Sequence, residues 1–181
     1  KILDDWNMPF LTEVADELGA ADLNTISSKY KTVFSFSKSA NVVKLEEPQI
    51  EIYKDTLGDK DRLINICLTP KRTVNRIEVF CDKETSFELL QVNGLDVFKN
   101  KKQLRKRNRK RLFTYYVTDN EPLEIDFIAV KNEKVVFEIY EASYDLLENE
   151  LLNVPERKED MIPKPFVLND AVVIKKSIII E

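Results

Sequence analysis

Lysine and arginine crowd one stretch of this chain. Residues 99–111 read KNKKQLRKRNRKR, with nine basic residues and no acidic one. Of the 28 Lys and Arg residues in the chain, 19 lie outside that stretch, against 32 Asp and Glu. The overall charge of −4 therefore conceals a strongly basic segment on a body of −13. Lys101, Lys102, Arg105, Lys106, Arg107 and Arg109 are the candidates for holding an anion: a lipid headgroup, a phosphate, a nucleic acid or an acidic partner. A polybasic segment beside an anionic bilayer gains about 1 kcal/mol per Lys or Arg. Nucleic acid fits this stretch less well, because no aromatic residue interleaves it for base stacking and the flanking chain is acidic. The plain alternative is a solvated hairpin extension whose charge blocks edge-to-edge strand pairing.

Other reactive residue types are scarce. Histidine is absent, which removes Ser-His-Asp and Cys-His nucleophilic sites and every zinc site built on histidine. Two cysteines fall short of the four thiolates of an all-cysteine zinc site. Cys81 is in phase with Ile77 and Val79, whereas Cys67 is out of phase with Ile64, Ile66 and Leu68, so the two thiols point to opposite faces and do not suit a disulfide. Cysteine usage leaves the compartment open. The adjacent carboxylates Asp4-Asp5, Glu46-Glu47 and Glu159-Asp160 diverge as neighbours do in strands and loops, and read as solvated surface charge. Asp55, Asp59 and Asp61 could attract calcium, but they lack the D-x-D-x-D-G loop pattern and read more simply as a hairpin turn. Trp6, the single tryptophan, reads as a packing anchor for the entry segment or as an interfacial residue if a spanning helix precedes it.

These residues need a scaffold, and the chain supplies one. Its 181 residues, 43% hydrophobic and 33% charged, suffice for one domain with a sizeable core. No apolar run approaches the roughly 18 residues of a membrane span. The longest, at 171–180, is broken by Lys175 and Lys176. The sequence starts at Lys1 with no leader pattern, which reads as a fragment or a processed form with any anchor lying upstream. Residues 1–28 read as an entry segment, with a short helix suggested by Phe10, Val14 and Leu18 ahead of Gly19. From Tyr30 the apolar period shifts to two.

Strands are expected at 33–36, 49–53, 62–69, 76–81, 87–92, 95–98, 112–117, 123–130, 135–140 and 172–180. Asn93-Gly94 is the strongest hairpin signal. A short helix is expected over Tyr144–Leu152. The sum is a mainly β chain: an antiparallel β-sandwich of jelly-roll or Ig-like type over residues 29–181, with one short helix near each end.

The tail carries a resemblance. YEASYDLL at 140–147, Arg157, the connector MIPKPFVLNDA at 161–171 and the VVIKKSI that follows are similar to the C-terminal end of membrane-anchored zinc aminopeptidases of peptidase family twenty-eight. Weaker matches are Leu3-Asp-Asp-Trp6, Val92-Asn-Gly94 and Glu121-Pro-Leu-Glu124, so together they span nearly the whole chain. The motif positions are Tyr140, Glu141, Tyr144, Asp145, Pro165, Phe166, Asn169 and Asp170. In such proteins a catalytic domain holds two zinc ions through His, Asp and Glu, several spanning helices follow, and an extracytoplasmic domain ends the chain. Likeness to that last domain implies a non-catalytic piece without a cofactor of its own, partnered by the peptidase domain of the same polypeptide or by an anionic membrane surface, on the periplasmic side. The basic run matches nothing in that pattern.

An alternative from the residues alone is a free-standing carbohydrate- or lipid-binding β-sandwich. It calls for exposed aromatic residues clustered on one sheet, such as Tyr115 with Phe113 or Tyr53 with Phe80.

Overall fold

Strict alternation in Ile64, Ile66 and Leu68, facing the same pattern in Leu123, Ile125 and Phe127, sets the register at the centre of the fold. The computed structural model describes residues 42–163 and 169–181. They run as β1 (Gln49–Leu57), β2 (Asp61–Thr69), β3 (Arg76–Cys81), β4 (Phe87–Val92), β5 (Leu95–Asp96), α1 (Lys101–Arg105), β6 (Arg111–Tyr116), β7 (Leu123–Val130), β8 (Val135–Ser143) and β9 (Val172–Ile180). The chain is thus mainly β. All strand pairs are antiparallel, in two sheets of order β1-β2-β7-β4-β5 and β6-β3-β8-β9.

Both sheets and the helix lie in a unit formed by Glu46–Ser143 and Val172–Glu181. Tyr144–Ala171 belongs to a second unit. The expected boundary at 28/29, the N-terminal helix, the strand at 33–36 and Trp6 lie outside the described residues.

Pairing puts Ile64 opposite Phe127, Ile66 opposite Ile125 and Leu68 opposite Leu123. A one-residue slip of either strand would turn its three inward side chains outward, so the buried face fixes this register. The second sheet contributes Ile77, Val79, Val135, Phe137 and Ile139 to the same core. Phe137 links the sheets: it stacks on Phe87 at 6.2 Å and meets Phe127 edge-on at 5.2 Å.

Turn chemistry follows the sequence closely. Asn93 and Gly94 both take positive φ (48° and 76°), the backbone a two-residue hairpin requires. Asn93 also ties down the neighbouring strand β7, its Oδ1 accepting from the Glu124 amide at 2.9 Å. Asn120 (φ 58°) bridges two connections, donating from Nδ2 to the Arg72 carbonyl at 2.7 Å and accepting from the Val74 amide at 2.9 Å.

The helix expected over Tyr144–Leu152 does not form. Two separate turns stand there, closed by Glu148 N–H to the Asp145 carbonyl (3.1 Å) and Leu152 N–H to the Asn149 carbonyl (3.0 Å). Asn149 donates to the Asp145 carboxylate at 3.2 Å and accepts from the Leu151 amide at 3.2 Å. Such local side-chain bonds compete with a helical ladder. Leu151, within that stretch, is exposed. The strand expected at 95–98 shortens to Leu95–Asp96, and the basic run holds a helix where a plain hairpin extension was the alternative.

Candidate anion-binding site

The basic segment is a crossover from β5 at the edge of one sheet to β6 at the edge of the other. Asn100 starts the helix: its Oδ1 accepts from the Lys102 amide at 2.9 Å, and its carbonyl accepts from Gln103 at 2.9 Å. Lys106 N–H to the Lys102 carbonyl (3.1 Å) closes the turn, and Lys106 itself is extended. Leu104, the single apolar side chain of the run, is buried in the core cluster and pins α1 there. Beyond the helix, the Lys110 carbonyl accepts from the Cys81 amide at 2.9 Å, which seats the segment against the end of β3.

Between α1 and the start of β6 opens a cavity of about 280 Å³, lined by Phe98, Gln103, Lys106, Arg107, Asn108, Arg109 and Arg111. Four of these side chains are cationic and none is acidic.

The six basic candidates divide. Lys106, Arg107 and Arg109 are brought together at the cavity. Lys101 opens α1, and Lys102 is exposed on it and does not line the cavity. Arg105 is committed elsewhere, as Nη2 donates to both Glu88 oxygens at 3.0 and 3.2 Å. Phe98, Gln103, Asn108 and Arg111 complete the lining. The sequence places Arg111 and Gln103 within the run but gives no sign that they share a cavity.

Arg107 is the unusual member, at only 7% exposed. Its guanidinium donates to the Leu104 carbonyl at 3.3 Å and to the Asp82 carbonyl, and its carbon lies 5.1 Å from the centre of the Phe87 ring. Nε is buried without an acceptor. Burial pulls its pKa below the usual arginine value, while the fields of Cys81, Asp82 and Glu84 hold it up. Within the segment Arg105 pairs with Glu88 and Arg111 with Glu78. Among the described residues, Lys106, Arg107 and Arg109 enter no ion pair. Buried charges are ordinarily paired. Here the guanidinium is fixed by main-chain carbonyls, and Asp82 and Glu84 act on it through their fields without an ion pair.

The tail residues do something different. Tyr140 lies on β8 with its ring edge-on to Phe80 at 5.2 Å and the Lys175 ammonium 5.5 Å above it. Glu141 points the other way and is wholly buried. Asp145 accepts from Asn149, Asp170 accepts an ion pair from Arg157, and the Leu146 amide donates to the Asp170 carbonyl at 3.2 Å. These bonds staple the connector to its own start, with Asp170 at φ 49°. Tyr144 is exposed, Asn169 is half-buried, and Pro165 and Phe166 lie outside the described residues.

Other candidates resolve plainly. Asp55 is held by Arg62 (2.8 and 2.6 Å), whose hydrogen bond keeps that carboxyl below its ordinary range, and the Asp61 carbonyl closes the turn by accepting from Gly58 at 2.8 Å. Among the described residues no group of three His, Cys, Asp or Glu side chains is placed to hold a metal, and no helix is long and apolar enough to cross a membrane. Cys67 and Cys81 are free thiols on different sheets. The aromatic clusters of the carbohydrate alternative do not assemble: Phe113 and Tyr115 pack against the core, Phe80 is buried, and Tyr53 stands exposed on the other sheet.

Compared with known proteins, the chain matches no family model, no curated protein and no solved structure.

Proposed function

We propose that the chain is a non-catalytic β-sandwich domain at the extracytoplasmic, C-terminal end of a membrane-bound zinc aminopeptidase, where it packs on the peptidase domain or the membrane surface. The observation that carries this is the tail, YEASYDLL followed by MIPKPFVLNDA, with its likeness to peptidase family twenty-eight. The two sheets that share one core support the sandwich, and the neighbour orders β2-β7-β4-β5 and β8-β3-β6 within the sheets support its jelly-roll form. The lack of histidine supports the non-catalytic half, since the zinc chemistry of such enzymes needs ligands this chain does not have. In this reading the zinc belongs to the parent's catalytic domain and the domain faces the periplasm.

The purified chain is assayed for bound zinc and for hydrolysis of aminoacyl anilides. The expected result is neither stoichiometric metal nor turnover. Either one, in a preparation free of contaminating peptidase, overturns the non-catalytic assignment.

A further inference from the structure

We infer that the cavity between α1 and β6 is an oxyanion site that takes a phosphate-class group, either as the free anion or as the phosphate of a lipid headgroup. The inference stands on the cavity alone and is independent of the peptidase reading.

The first support is charge placement. Lys106, Arg107, Arg109 and Arg111 converge on one cavity with no acidic residue in its lining. Only Arg111 among them has a carboxylate partner, Glu78 at 3.0 Å. Glu78 must also serve Arg76 and Thr114 from a 1%-exposed position, so it has little left to neutralise the cavity.

The second support is Arg107. Two main-chain carbonyls and the Phe87 ring fix its guanidinium, so its position is set before any ligand arrives. Carbonyls orient a guanidinium without cancelling its charge, and a cation 93% removed from water calls for a counter-anion. Arginine's planar fork suits the oxygens of a phosphate, and preorganisation removes part of the entropic cost of binding. Lys106 and Arg109 are exposed at the same cavity and can close over the ligand from the solvent side.

Size agrees. A volume of about 280 Å³ holds several waters, each with a share of about 30 Å³, and so accommodates a tetrahedral oxyanion with part of its hydration. Gln103 and Asn108 add neutral donors to the same wall.

The test uses the full chain, isotope-labelled, titrated with inorganic phosphate against chloride at matched ionic strength. Saturable amide shifts are expected at residues 98, 103 and 106–111. K106Q/R109Q should weaken phosphate binding at least about tenfold, the loss of one or more charge-assisted hydrogen bonds. The charge-matched control K54Q/K71Q, on exposed lysines outside the cavity lining, with Lys54 on β1 at the opposite edge of the sheet from β5, should leave affinity unchanged. R107K keeps the charge but loses the fork, and should weaken phosphate binding while the amide spectrum stays native.

A second arm pellets the chain with phosphatidylcholine vesicles, with and without phosphatidylglycerol. Binding only to the anionic vesicles, abolished by K106Q/R109Q and competed by free phosphate, assigns the site to a lipid headgroup. Saturable phosphate shifts without vesicle binding assign it to a free anion. Unsaturable shifts spread along the whole 99–111 segment, equal losses in K54Q/K71Q, or no response in either arm overturn the site.

Discussion

Glu141 offers the sharpest test of how this fold handles charge. Its place follows from strand periodicity: Val135, Phe137 and Ile139 point into the core from β8, and Glu141 is next in phase. The side chain is fully buried, and neither carboxylate oxygen has a hydrogen-bond partner. Arg72 is nearby, but its guanidinium donates to the Ser143 hydroxyl and to the carbonyls of Glu141 and Val172. Lys176, inward-facing on β9, reaches the Pro48 carbonyl at 3.1 Å and Glu47 at 3.0 Å. Burial pushes the Glu141 carboxyl up to about 7 from its ordinary 4.5, while Arg72 and Lys176 pull it down.

A raised carboxyl pKa means that the folded state binds a proton more readily than the unfolded chain. That stabilisation is fully present below about 4.5 and is lost as pH rises through about 7. At about 1.4 kcal/mol per pKa unit, the difference reaches about 3 kcal/mol.

Glu141→Gln removes the titration and keeps the shape. Urea denaturation at a series of pH values from 4.5 to 8 should therefore give nearly equal stabilities for the two proteins at the acid end. Glu141→Gln should become the more stable by up to about 3 kcal/mol at the alkaline end. Comparing the two chains cancels every other titrating group. Parallel pH profiles, or a variant less stable at pH 8, would refute the account of a carboxylate held in the core without a hydrogen-bond partner.

Three further substitutions probe the frame. Phe137→Ala removes the ring that touches Phe87 and Phe127 across the two sheets, and should lose about 3–5 kcal/mol in urea denaturation with the fold retained. Gly94→Ala meets no steric neighbour within 4 Å but must hold φ at 76°, so it should lose about 1 kcal/mol, read as a lowered Tm. Glu78→Ala removes the buried carboxylate that Arg76 and Arg111 share on the outer face of the second sheet, and roughly 3 kcal/mol should disappear from the unfolding free energy.

Much of the frame was legible because the core imposes a period of two. Ile64, Ile66 and Leu68, or Leu123, Ile125 and Phe127, can point inward together only in an extended chain, and Asn93-Gly94 can take its turn at little steric cost. The residues of the basic run gave no such period. With Leu104 as its only apolar side chain, α1 has no stripe to betray it, and its one sequence mark is the capping Asn100. The burial of Arg107 is set by Phe87, Asp82 and Leu104, two of them distant in sequence, so a string of like charges could not single it out. Tyr144–Leu152 failed in the opposite sense: its leucines suggested a helix, but Asp145 and Asn149 bond locally and break it into turns. Glu141 stood in phase with the core all along, yet a carboxylate reads as surface until the strand is seen to continue to Ser143.

The most direct test of the proposed parentage is the native size of the protein that carries this chain. An antibody raised against it is used to blot soluble and membrane fractions of the source cells. A membrane-fraction band several times larger than 21.1 kDa is the predicted result, consistent with a domain tethered to a membrane peptidase. A soluble band near 21.1 kDa would contradict it.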